Sequence, residues 1–551
     1  MVFSHKKTAS GLVELVNANP TTQPKETVKM KCSKAAVHRK THRIPEIKFE
    51  DQRLTSFAGL LVYQSLFSRI GLKQQLSGCF RHLTVSPVFG HGVVVVLLIV
   101  HLLLGYRRLQ DMRYYQDDPM VRRLLGLERL PDVATVSRTL ASLDDRSVTH
   151  LRQFSRQRVL DQIRRLEPAR ITLDFDGSVL STGRFAEGTA VGFNRKKKGQ
   201  RSYYPLFCTV AQTGQVLDVW HRPGNVHDSN GAKAFILACV QEIKAILPRC
   251  IIEARMDSAF FSDDIVSMLD TEGVQFTISV PFERFTALKA MIENRKRWRH
   301  LNTQWSFFEA NWKPSSWNDR YRFVFVRSQN REQYKGPVQL DLFIPYEYGY
   351  DFKVIVTNKQ LSAKKALNFH NGRGAQEGIF AELKSQTQMD YVPTRKKAGN
   401  QVYLLSAVLA HNLNREMQMR CYEQERNTTE KRAPLWQFEQ LGTVRRKLIQ
   451  RAGRLTRPQG RLTLTMSANP TVKSELLHYL EILKQAGSPR AFRFMPRQPR
   501  FITKRFGSGF TFPSDSSPRL PGLLMPCSAK RHGSRLSFSF GPSPCGYYDL
   551  C

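Results

Sequence analysis

The run Ile171-Thr-Leu-Asp-Phe-Asp-Gly-Ser178 alternates apolar and polar side chains and reads as a strand. Residues two apart on a strand project from one face, so Asp174 and Asp176 point the same way. This strand opens a mixed α/β stretch. Runs 203–210 and 215–220 read as strands joined by a Thr213-Gly214 turn, 232–246 as a helix and 250–256 as a strand. A helix over 263–269, capped by Ser262, and a strand over 274–280 follow.

The rest of the chain divides around this stretch. Residues 1–53 read as a basic flexible arm, with eight Lys/Arg between Lys25 and Lys48. A helical DNA-binding region is expected over 54–165, and the first part of an α/β core over 166–280. Residues 281–350, with four of the six tryptophans and β-type runs at 321–326 and 338–344, read as a β-rich insertion. The core resumes over 351–420, with long helices predicted at 361–389 and 401–417. A basic helical region over 421–486 and a disordered Pro/Ser-rich tail over 487–551 close the chain; the tail holds nine of the 27 prolines and only two acidic residues.

The 84 Lys+Arg against 46 Asp+Glu give a net charge of +38, a field that concentrates polyanions. Nucleic acid is the expected partner. The longest apolar run, 93–104, has twelve residues interrupted by His101, too short for a membrane span of about twenty. No export signal is seen, and the nine scattered cysteines contain no Cys-x-x-Cys pair, so a reducing compartment is expected and neither zinc nor disulfides are indicated. Within 54–165, Asp118-Pro119 starts a short helix ended by Gly126, and 133–143 gives a second. This pair reads either as a helix-turn-helix with Ser137 and Arg138 facing DNA, or as an ordinary helical hairpin.

Three acidic positions stand at element boundaries. Asp174 and Asp176 share a strand face, and Asp257 follows the apolar strand 251–256. Arg373, Glu377 and Lys384 lie four and seven residues apart on a helix, along one stripe. Carboxylates of this kind are what a two-metal phosphoryl-transfer site requires, because Mg²⁺ prefers hard oxygen ligands. Taken singly, each acid could equally be a turn residue, a cap or a surface ion-pair member.

The run Leu173-Asp-Phe-Asp-Gly-Ser178 resembles the first-aspartate strand of the DDE transposases of bacterial insertion sequences, and Arg255-Met-Asp-Ser-Ala-Phe260 resembles their second-aspartate motif. Within 369–384, Arg373, Glu377 and Lys384 match the Tyr-x2-Arg-x3-Glu-x6-Lys signature of the insertion sequence 4 group, with His370 in place of the Tyr. Segments 109–131, 221–225 (His-Arg-Pro-Gly-Asn) and 444–454 resemble the insertion sequence 1380 family in particular.

The resemblance spans about 54–465 and implies an α/β fold. Its parts are an RNase H-like catalytic core with a mostly β insertion, preceded by an α-helical DNA-binding region. It also implies Asp176, Asp257 and Glu377 as catalytic metal ligands. Asp176 is preferred over Asp174 because Ser178 follows it at two residues; Glu382 is set aside because five residues rotate it about 140° from Glu377. Arg373 and Lys384 would hold phosphates.

The implied activity is Mg²⁺-dependent cleavage at insertion-sequence ends and strand transfer into target DNA. Two Mg²⁺ ions are expected, with Mn²⁺ as a substitute. The alternative is a catalytically inactive DNA-binding derivative that regulates transposition. Arg195, Lys196, Lys197 and Arg138 are expected DNA contacts, and the stretch 445–457 suits phosphate contact. The expected partners are double-stranded terminal inverted repeats and target DNA, bound by a homodimer in the cytoplasm at the nucleoid, without membrane.

Overall fold

The computed structural model describes residues 45–50, 52–83, 88–183, 185–192, 194, 196–329, 350–427 and 429–485. The chain divides into units over 1–492 and 493–551, and all described residues belong to the first. The tail 487–551, most of the basic arm, Arg195 and the predicted run 338–344 lie outside the described residues.

Helices α1 (Leu60–Arg69), α2 (Leu72–Cys79), α3 (His91–Leu104), α4 (Pro119–Leu125), α5 (Val133–Ala141) and α6 (Asp145–Leu166) come first. Residues 60–79 make two helices, because Gly71 turns the chain at φ +62°. Helix α3 is buried on almost every side. It ends at Gly105 (φ +91°), where Arg445 donates to the carbonyls of Leu103 at 2.8 Å and Leu102 at 3.3 Å. The Leu103 carbonyl is an orphan acceptor of the helix end, whereas that of Leu102 also accepts from the Gly105 N–H at 3.0 Å.

Among the described residues, nine strands form the main sheet: β1 (Arg170–Gly177), β2 (Leu206–Val210), β3 (Gln215–Trp220), β4 (Ile251–Met256), β5 (Gln275–Val280), β6 (Arg299–His300), β7 (Trp305–Trp312), β8 (Tyr321–Gln329) and β9 (Tyr350–Thr357). Their order is β6-β7-β8-β9-β5-β4-β1-β2-β3. Strands β1, β4 and β5 are parallel, and β2 runs against both β1 and β3. The insertion is therefore not a separate layer. Its strands β7 and β8 extend the catalytic sheet through β9, which pairs antiparallel with β5.

Alternate residues of β2 enter two cores, as the two faces of a strand require. Leu206 and Cys208 join the core with helices α7 (Ala232–Ile246) and α8 (Asp263–Thr271), whereas Phe207 joins the helical bundle. That bundle core also takes residues 402–417 and 476–483, so the regions drawn at 54–165 and 421–486 share one core. Nor is 421–486 wholly helical. Residues Gly453–Thr456 pair with Thr463–Met466 and with Leu54–Thr55 in a small sheet, before a helix at Pro470–Gln485.

The predicted helix 361–389 is broken into α9 (Ala363–Asn371) and α10 (Gly374–Gln386), with α11 (Lys397–Cys421) following. At the break the backbone tightens to three-residue hydrogen bonds, from the Arg373 N–H to the His370 carbonyl at 3.0 Å and from the Ala375 N–H to the Gly372 carbonyl at 3.2 Å. A Cβ at Gly372 would lie 2.1 Å from the Lys431 carbonyl oxygen and 2.2 Å from Arg255 Nη1, so only glycine lets the chain pass.

Candidate active site

The aspartates two apart on β1 have different fates. Asp174 is buried, and Arg255 on the neighbouring β4 grips its carboxylate with Nε at 2.5 Å and Nη2 at 2.7 Å. Asp176 lies at the C-terminal end of β1, with its side chain 19% exposed. It accepts from the Gly177 N–H at 2.8 Å and from Arg373 Nη1 at 3.1 Å. One residue beyond the last registered β1–β4 pair, Phe175 with Met256, the parallel register brings Asp257 beside Asp176. Asp257 Oδ1 accepts from the Ala259 N–H at 3.0 Å.

Burial and then the charge of Asp257 raise the Asp176 carboxyl to about 7, against the pull of Arg373. Asp257 is likewise raised, chiefly by burial. Two desolvated carboxylates that repel one another are a hard oxygen donor pair, and this fits a divalent cation. Glu377 stands apart, exposed on the first turn of α10. Among the described residues no group of three His, Cys, Asp or Glu is arranged to hold a metal ion. The expected convergence of Glu377 with the aspartates is thus absent here. The first-turn residue facing β1 is instead Gln376, which is buried and donates to the Asp174 carbonyl oxygen at 2.9 Å.

Lys384 is half-buried, and burial lowers its ammonium pKa. The charges of Asp176 and Lys196 both reach it. Lys196 and Lys197 are exposed in a turn held by buried Asn194, whose Oδ1 accepts from the Lys197 N–H at 3.1 Å. Of the expected phosphate contacts, Arg373 therefore stands on Asp176 itself, and Lys384 lies within reach of the Asp176 charge. Arg138 is exposed on α5, where Nη2 donates to Thr135 Oγ1 at 3.2 Å. Helix α5 packs on α11, and α4 on α1, rather than the pair forming an isolated hairpin.

Arg445 departs from its expected role: its guanidinium caps α3 and also donates to the Gln386 carbonyl oxygen at 2.8 Å. Glu382 pairs with Arg415 and accepts from the Leu441 N–H, a core contact. His370 bridges Thr277 Oγ1 at 3.0 Å and Ser279 Oγ at 2.9 Å, and burial holds it neutral. The insertion tryptophans pack against phenylalanines, Trp312 on Phe323 and Trp298 on Phe308.

Sequence reasoning missed Tyr204 and Asp228, which act on Asp176, and took Arg222 only as part of the 221–225 resemblance without a role. An arginine two residues after the strand 215–220 was the available signal, because a buried guanidinium requires a buried acceptor.

A family model described as Transposase DDE domain group 1 matches residues 37–488. The chain is a DDE transposase. Such enzymes cleave DNA and transfer the cleaved strand, and they use divalent metal ions. Among solved structures, a piggyBac transposase synaptic complex with hairpin DNA is similar at TM-score 0.36 and 11% identity, over 80% of this chain and 87% of that one. A Mos1 transposase paired-end complex with the left transposon end gives TM-score 0.15 and 12% identity, over 36% of this chain and 60% of that one. Likenesses this weak decide nothing about this DDE transposase beyond the family match. No curated protein matches the sequence. Among the described residues no helix is long and apolar enough to cross a membrane.

Proposed function

We propose that this transposase belongs to the insertion sequence 1380 family, and that it cuts the ends of its own element and joins them to target DNA from a homodimer at the nucleoid. The observation that carries this reading is Asp176 beside Asp257 at the ends of adjacent parallel strands, with Arg373 on Asp176 and Lys384 within reach of its charge. An RNase H-like core is supported by the order β3-β2-β1-β4-β5 with β2 alone reversed. The metal is Mg²⁺, two ions, with Mn²⁺ as substitute. Asp176 and Asp257 would hold it, and Glu377, four residues beyond Arg373 on the same helix face, would be the third ligand. The bound cations supply charge stabilisation at the reacting phosphate.

The protein's own groups do the positioning. Arg373 presents a planar fork to phosphate oxygens and Lys384 a point charge, so each fixes the strand beside the scissile bond. Lys196, Lys197 and the neighbouring Arg195 follow the backbone, and Arg138 on α5 reads the terminal repeat. The test is cleavage and strand transfer on a duplex carrying the element's terminal repeat, with Mg²⁺, by the parent and by Asp257→Asn. Sequence-specific binding without cleavage by the parent would instead support the regulatory derivative.

A further inference from the structure

Buried Arg222 follows β3 and organises the loop beside the two aspartates. Its Nε donates to the Tyr204 carbonyl oxygen at 3.1 Å, and Nη1 to the carbonyl oxygens of His227 and Asp228, each at 3.2 Å. Its Nη2 donates to Asp228 Oδ1 at 2.9 Å. The Tyr204 hydroxyl donates to Asp228 Oδ2 at 2.6 Å. Both oxygens of this buried carboxylate are thereby engaged, so it is a fixed strut rather than a spare ligand.

The strut bears on Gly177. A Cβ added there would lie 2.5 Å from Asp228 Oδ1 and 2.6 Å from Tyr204 Cζ, so the clamp fills the space a side chain would take. The Gly177 N–H in turn donates to Asp176 Oδ1. A continuous path runs from Arg222 through Asp228 and Tyr204 to the peptide that orients Asp176.

We propose that Tyr204, Asp228 and Arg222 form a clamp whose role is to position the Asp176 carboxylate for a divalent cation. The inference rests on Asp176 being a metal ligand. Groups that orient a ligand from behind commonly change metal affinity about 10–100-fold when removed. A clamp that served packing alone would change stability instead.

The experiment uses the full chain without DNA and Mn²⁺ as the probe, its binding followed by electron paramagnetic resonance. Tyr204→Phe removes one hydroxyl and keeps the ring; Asp228→Asn keeps the shape and removes the charge. The expected result for Tyr204→Phe is Mn²⁺ binding weakened about tenfold or more, with metal-free binding to a terminal-repeat duplex and the melting temperature both close to the parent. Asp228→Asn should weaken Mn²⁺ binding in the same direction, and Tyr204→Phe carries the test alone if that variant does not fold. Parental Mn²⁺ affinity in Tyr204→Phe, or a large fall in melting temperature with Mn²⁺ affinity unchanged, would overturn the clamp. Asp176→Asn is measured alongside. If it too binds Mn²⁺ like the parent, the reading of Asp176 as a ligand falls and the clamp with it; if it loses binding while Tyr204→Phe keeps it, only the clamp falls.

Discussion

Arg255 and Asp174 form a two-point ion pair inside the sheet, across adjacent parallel strands, with nitrogen to oxygen distances of 2.5 and 2.7 Å. The pair separates two aspartates that the alternation of β1 aims the same way. Asp174 is committed to the core, and Asp176 is left at the strand end.

The two positions should therefore respond oppositely to substitution. Arg255→Ala leaves a buried carboxylate unpaired and is expected to cost about 3–5 kcal/mol in denaturant unfolding. Asp176→Asn removes a desolvated, repelled carboxylate, so it should unfold at or above the parental denaturant midpoint while losing cleavage.

Glu377 should behave differently from the aspartates. Glu377→Gln is expected to leave Mn²⁺ binding to the DNA-free protein within about twofold, because the side chain is exposed and apart from the pair, yet to abolish cleavage. Asp257→Asn should lose both. Titrating Mn²⁺ with and without the end duplex separates the two outcomes, and a Glu377→Gln protein that cleaves at the parental rate would remove it from the site.

The metal-free protein should lose stability as pH rises. An unfolded Asp titrates near about 3.9, whereas Asp176 in the fold is raised to about 7. A raised folded pKa means the folded state holds the proton more tightly, so this contribution is complete below about pH 4 and lost as pH rises through about 7. In chelator, the parent's melting temperature should fall more from about pH 5 to about pH 8 than that of Asp176→Asn. Adding Mg²⁺ should restore the parent at the higher pH and not the variant. Parallel pH curves for the two proteins would contradict this.

Basic residues should sort by location rather than by charge. Lys196→Ala and Lys197→Ala are each expected to lower the slope of log affinity against log salt by about 0.9 while leaving melting unchanged. Arg445→Ala should do the reverse, because it uncaps the carbonyls of α3. The two measurements on the three variants decide the matter.

Arg138→Ala should narrow the gap between terminal-repeat and random duplex by about tenfold or more if α5 enters a groove. An unchanged ratio in matched titrations would make α4 and α5 scaffold.

The sequence by itself determined most of the strands and helices, and its motifs carried the resemblance to DDE transposases. Alternation marked the strands of 170–280, Asp118-Pro119 and Gly126 bounded α4, and the spaced Arg373, Glu377 and Lys384 carried the resemblance. These are local signals, set by backbone geometry over a few residues. The resemblance favoured Asp176 over Asp174, but the physical reason lies in the tertiary structure: Arg255, distant in sequence, sits on β4 opposite Asp174 and takes its carboxylate. The same holds for Arg445, which reads as one more cation in a basic run and folds as a cap for α3. The clamp of Tyr204, Arg222 and Asp228 likewise exists only where two loops meet Gly177. Periodicity reports which face a side chain takes, but the partner waiting on that face comes from elsewhere in the chain, and burial makes that partner decisive.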